Sequence, residues 1–320
     1  MISLEVLHSD STASLSPGRI IDGDVEDFQY SLRPFPETNP AHAVRPSKLL
    51  RNYYRRQLSF KEDVVNAVIG AVNAFEGLSI TDQQMYATHF YGVPMFWGPE
   101  LRENTPTRSF MTHMAWLDFA DNPISPFFDT TTNLFPSWSW ASIKAQQSST
   151  KLGLLNLLLA QEVSVHHQED MHVWLVAHTG HRVNLNDYAS QSSRHEQFQQ
   201  NIFVTSWAID CRLQKGEEKN GEAGAFSLSG FSRGRLHVDY LDQAPNEDVI
   251  VFFLGAGTSA EDDALHEGLV AFSIVGKTGT STYRRVGLYY DWFAVGNDLQ
   301  AYLDVLRPNR DWELRELQLI

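Results

Sequence analysis

The octapeptide Phe135-Pro136-Ser137-Trp138-Ser139-Trp140-Ala141-Ser142 constrains the fold more than any other stretch of this chain. Two tryptophans two residues apart share one face of an extended strand, with Ser137, Ser139 and Ala141 on the other. Pro136 fits the first position of such a strand, where a missing N–H is tolerated. Each indole brings a large apolar surface and one N–H that needs an acceptor once buried. The spacing predicts a core strand that anchors a domain. None of its side chains is a catalytic group.

Composition bounds what surrounds that strand. With 42% hydrophobic and 12% aromatic residues in 320, the chain can bury a sizeable core, as one large domain or a few small ones. A formal charge of −14 and a pI near 5.2 argue against nucleic acid or an anionic membrane as partner, and favour a basic protein surface. Cys211 is the only cysteine, which excludes an intramolecular disulfide and a cysteine-built metal site. The first fifteen or so residues lack the continuous apolar run of a secretory signal. The leucine-rich run at 152–160 is shorter than the roughly 20 apolar residues of a bilayer span and reads as a buried strand or short helix. A soluble, cytoplasmic protein is expected.

Three regions follow from pattern. Residues 1–44 carry Pro17, Pro34, Pro36 and Pro40 without periodicity and read as an irregular arm. Residues 45–134 form a helical, aromatic-rich region. There Ser59 and Glu62 make a capping box ahead of a helix whose Val64, Val65, Val68, Ile69, Val72 and Phe75 form one apolar stripe. A shorter helix at about 107–117 places Phe110, Met111, Met114 and Leu117 on one side. Residues 135–320 are β-rich, beginning with the Trp-Ser-Trp strand. Strands are expected at 171–177, 202–209, 226–228, 236–241, 249–254, 269–275 and 285–290, with a hairpin at Gly276-Lys277-Thr278-Gly279. The fold class is α+β: an N-terminal helical segment packed against a mostly antiparallel β sandwich or partly open barrel.

Candidate chemistry is sparse. Gly230-Phe231-Ser232-Arg233-Gly234 matches the G-x-S-x-G nucleophile elbow, and Asp262, Asp263 and His266 follow in hydrolase order. That elbow needs a helix after the serine, whereas residues 235–240 alternate as a strand does, so an ordinary β-turn is the better reading. His166, His167, His172, His178 and His181 cluster with Glu162, Glu169 and Asp170 nearby, but in no compact zinc spacing. Gly255-Ala256-Gly257 lacks the third glycine of a dinucleotide fingerprint, and Glu261, Asp262 and Asp263 beside it would repel a pyrophosphate. Arg51, Arg55 and Arg56, with Tyr53 and Tyr54, form a small basic patch suited to a solvated helix face or an acidic partner. No catalytic, cofactor-binding or metal residue is assigned, and no cofactor is expected.

Four pieces together resemble the region that follows the HET domain in fungal heterokaryon-incompatibility proteins. They are Tyr54-Arg55-Arg56-Gln57-Leu58-Ser59 with Asp63 and Asn66-Ala67; Tyr91-Gly92-Val93-Pro94 with Ala115-Trp116-Leu117; Phe135 to Ser142; and Tyr283-Arg284-Arg285-Val286-Gly287-Leu288 with Trp312 and Leu319-Ile320. The resemblance runs from about residue 46 onward. The blocks that mark the HET domain itself are absent, and the roughly 45 preceding residues are too few to hold it. The resemblance implies nonself recognition and cell-death signalling, attached to a domain without counterpart here. A non-catalytic interaction or regulatory module is therefore expected, with another HET-family protein or a basic protein surface as partner. The competing readings are a serine hydrolase using Ser232 and a truncated gene product without activity.

Overall fold

A computed structural model of the chain describes residues 63, 65, 66, 69, 70, 72, 79–80, 83–84, 86–98, 105–118, 135–142, 152–154, 171–190, 197–215, 226–231, 234–239, 246–258, 267–294 and 312–320. In chain order the elements are β1 (Ser79–Ile80), β2 (Gln83–Gln84), β3 (Tyr86–Phe90), β4 (Val93–Trp97), α1 (Pro106–His113), β5 (Trp116–Asp118), β6 (Leu152–Leu154), β7 (His172–Ala177) and β8 (Arg182–Asn184). Then come α2 (Leu185–Ser190), β9 (Phe198–Lys215), β10 (Phe226–Leu228), β11 (Arg235–Val238), β12 (Asn246–Thr258), β13 (Glu267–Lys277), β14 (Thr282–Ala294) and β15 (Glu313–Leu319).

The strands that matter most close on themselves. β9 pairs with β12, β12 with β13 and β13 with β14, all antiparallel. β14 then meets β15 in parallel, and β15 returns antiparallel to β9. The long β9 makes this circuit possible, because different lengths of it serve different partners. Residues 202–205 carry β7 on one edge and β15 on the other, and residues 208–214 carry β12. The circuit is narrowest between β14 and β15, where only Thr282↔Gln318 and Tyr283↔Leu319 pair.

Strands β12 to β14 are buried on both faces over Val249–Leu254, Val270–Gly276 and Arg285–Tyr289. That is why their sequences run apolar without alternation. A β-bulge in β14 leaves Val286 unopposed, since Ile274 faces Gly287 while Val275 faces Arg285. A bulge bends its strand and re-aims neighbouring side chains. Here it turns Arg285, fully buried, toward α1 and β5.

The mostly antiparallel β content expected from sequence is present, and each predicted strand from 171 to 290 overlaps an observed one; four are longer than expected, while the one expected at 236–241 ends at Val238. The hairpin at 276–279 joins β13 to β14, with the Thr278 N–H donating to the Thr282 carbonyl at 2.9 Å. Four expectations need correction. The Trp-Ser-Trp segment is not a strand: 137–138 form a turn and 140–142 are helical. Serine provides the reason, because Ser139 Oγ accepts from the Ala141 N–H at 3.2 Å and its carbonyl receives Ser142 Oγ at 2.8 Å. Such local bonds compete with a sheet ladder. Second, the strand expected at 249–254 does not end there: Gly255-Ala256-Gly257 also belongs to β12, paired with β13 through Ala271, Val270 and Leu269. Third, the 45–134 region holds strands β1 to β5 besides α1, which ends at His113 because Trp116 already pairs with Leu154. Fourth, the N-terminal helical segment is not established. Residues 63, 65, 66, 69, 70 and 72 are helical, but Ser59, Glu62 and the rest of the stripe lie outside the described residues. No helix among the described residues is long and apolar enough to cross a membrane.

Candidate functional site

Parts of three of the four pieces of the resemblance meet in one buried junction, whereas Tyr54 to Ser59 lie outside the described residues. The logic of the junction begins at a hairpin. β3 and β4 are joined by Tyr91-Gly92 alone, with φ of 45° and 83°. Positive φ at both central residues is the two-residue hairpin geometry that matches strand twist, and Tyr91 tolerates it less readily than glycine or asparagine would. The turn is held from outside. Tyr91 Oη donates to the Phe198 carbonyl at 3.1 Å, Ser139 Oγ donates to the Tyr91 carbonyl at 2.6 Å, and Trp140 Nε1 donates to the Gly92 carbonyl at 2.8 Å. A Cβ on Gly92 would stand 3.3 Å from both the Trp140 ring and Val65. Gly92→Ala should therefore cost about 1–2 kcal/mol from the left-handed backbone alone, read as a lower urea midpoint at unchanged slope.

The octapeptide is buried throughout, and each indole reaches a different element. Trp138 Nε1 donates to the Gln200 carbonyl of β9 at 3.1 Å, and Trp116 Nε1 of β5 donates to the Trp138 carbonyl at 3.0 Å. The Trp138 ring stacks on Phe90 at 5.9 Å and meets Phe110 of α1 edge-on at 5.6 Å. Ser137 fills the narrow place in the β circuit. Its N–H and Oγ both donate to the Ile320 carbonyl just beyond β15, while its Oγ accepts the Arg285 N–H of β14 at 3.2 Å. One serine thus extends the short ladder between β14 and β15.

Arg285 completes the junction. Its guanidinium and the Asp239 carboxylate are both fully buried, with Nε donating to Oδ2 at 2.8 Å. Nη1 donates to the Met114 carbonyl and Nη2 to the Trp116 carbonyl, and the guanidinium lies 3.5 Å above the Trp116 ring. The pair ties the end of β11 and the bulge of β14 to the segment between α1 and β5. A buried ion pair survives only where its remaining donors and acceptors are met, as these are on the arginine side. His237 Nε2 lies 3.8 Å from the other Asp239 oxygen.

Ser232, Asp262, Asp263, His266, His166, His167, Glu162, Glu169, Asp170, Arg51, Arg55 and Arg56 lie outside the described residues. β10 precedes and β11 follows the Gly230–Gly234 pentapeptide, so the helix that a nucleophile elbow requires is not in its place. Gly234 has a packing reason to be glycine: at φ 82°, a Cβ would stand 2.5 Å from Tyr289 Oη. His172, His178 and His181 are exposed, and no group of three metal-ligating side chains occurs among the described residues. Burial, aided by the Asp291 charge, raises the pKa of the Tyr289 phenol and keeps it neutral.

Two features, a buried ion pair and a half-buried histidine, were not among the reactive candidates of the sequence, although Arg285 belongs to a motif of the resemblance. The Arg285–Asp239 pair spans 46 positions and sits in what reads as an ordinary strand. His113, at the end of α1, donates from Nδ1 to the Ser109 carbonyl at 2.7 Å and packs on Phe96. Burial pushes its pKa down to about 4, although the Ser109 hydrogen bond opposes that. The unfolded chain, with histidine near 6.5, binds this proton more readily, so its contribution is complete above about pH 6.5 and fades toward pH 4. Discounted for the partial exposure of His113, the loss is on the order of 2 kcal/mol. Urea titrations at pH 7 and 4.5 should show that difference shrinking in His113→Gln.

No family model, curated protein or solved structure matches the chain.

Proposed function

We propose that this chain is a non-catalytic interaction or regulatory module, related to the C-terminal half of fungal heterokaryon-incompatibility proteins and working in the cytoplasm. One observation carries the reading. The separately placed motifs of the resemblance, Tyr91–Pro94, Ala115–Leu117, Phe135–Ser142, Tyr283–Leu288 and Ile320, are bonded to one another in a single junction. The hydroxyls, indoles and guanidinium of that junction face carbonyls and a carboxylate of the chain itself, which suits them to holding a scaffold. The partner is another HET-family protein, or a basic protein surface attracted by the chain's charge of −14.

Affinity capture of the tagged full chain from fungal cells, with mass spectrometry, tests this. Recovery of a HET-domain protein that rebinds when purified is the expected result. Labelling of the chain by a fluorophosphonate probe, lost in Ser232→Ala, would replace this reading with the hydrolase.

A further inference from the structure

We draw no further inference here: the strongest candidate, the outward face of β8, β7, β9 and β15 bearing Trp174, Phe203, Trp207 and the exposed Leu314, with Arg182 over Phe203 and paired to Glu316, is an apolar sheet face for which nothing in the structure shows what covers it.

Discussion

Arg285→Ala should remove about 3–5 kcal/mol of stability, the cost of breaking a buried ion pair from one side. The Asp239 carboxylate would stay buried without its cation, and the Met114 and Trp116 carbonyls would lose their donors. Against a total of roughly 5–15 kcal/mol, that loss is a large share of the stability, and the urea midpoint should fall steeply. Arg285→Lys keeps the charge but not the planar fork, so one ammonium cannot serve three divergent acceptors and also stack on Trp116. It should fall between wild type and alanine. The double change Arg285→Met with Asp239→Leu removes both charges together and should be more stable than Arg285→Ala. Urea unfolding of the four proteins gives the order directly. An alanine variant within 1 kcal/mol of wild type would mean that the pair contributes little.

Trp140→Phe removes the indole N–H together with one ring of a fully buried side chain. The Gly92 carbonyl, at the left-handed turn, loses the indole donor that reaches it at 2.8 Å. A buried acceptor left without a donor costs about 1–3 kcal/mol. Trp138→Phe should cost less, because the Gln200 carbonyl it serves is only partly buried. Alanine at either position adds the loss of a large buried side chain, about 3–5 kcal/mol. The ranking is the informative part. If Trp138→Phe proves the more harmful, the left-handed turn is not the point of greatest dependence.

Strands β12, β13 and β14 were readable because burial on both faces leaves continuous apolar runs such as Val249–Leu254. β15 escaped detection: Glu313, Arg315 and Glu316 crowd its few apolar positions, and its identity comes from the seven residues it pairs with on β9. The β3–β4 hairpin was hidden because Tyr91 occupies a conformation usually announced by asparagine or glycine. The Trp-Ser-Trp reading failed for a different reason. Alternation alone does not separate a strand from a turn whose serines bond to their own backbone, and the burial it predicted was right while the conformation was not. Of the junction, the sequence supplied the pieces. Their meeting depends on contacts such as Ser137 to Ile320, 183 positions apart, which no local pattern encodes.

Hydrogen exchange at the indole N–H groups of Trp116, Trp138 and Trp140, followed by NMR, probes the junction most directly. These protons should exchange only when the whole chain unfolds, with protection equal to the stability found by urea titration. Exchange at the rate of a free indole, while backbone amides of β12 to β14 stay protected, would show that the scaffold stands without the junction.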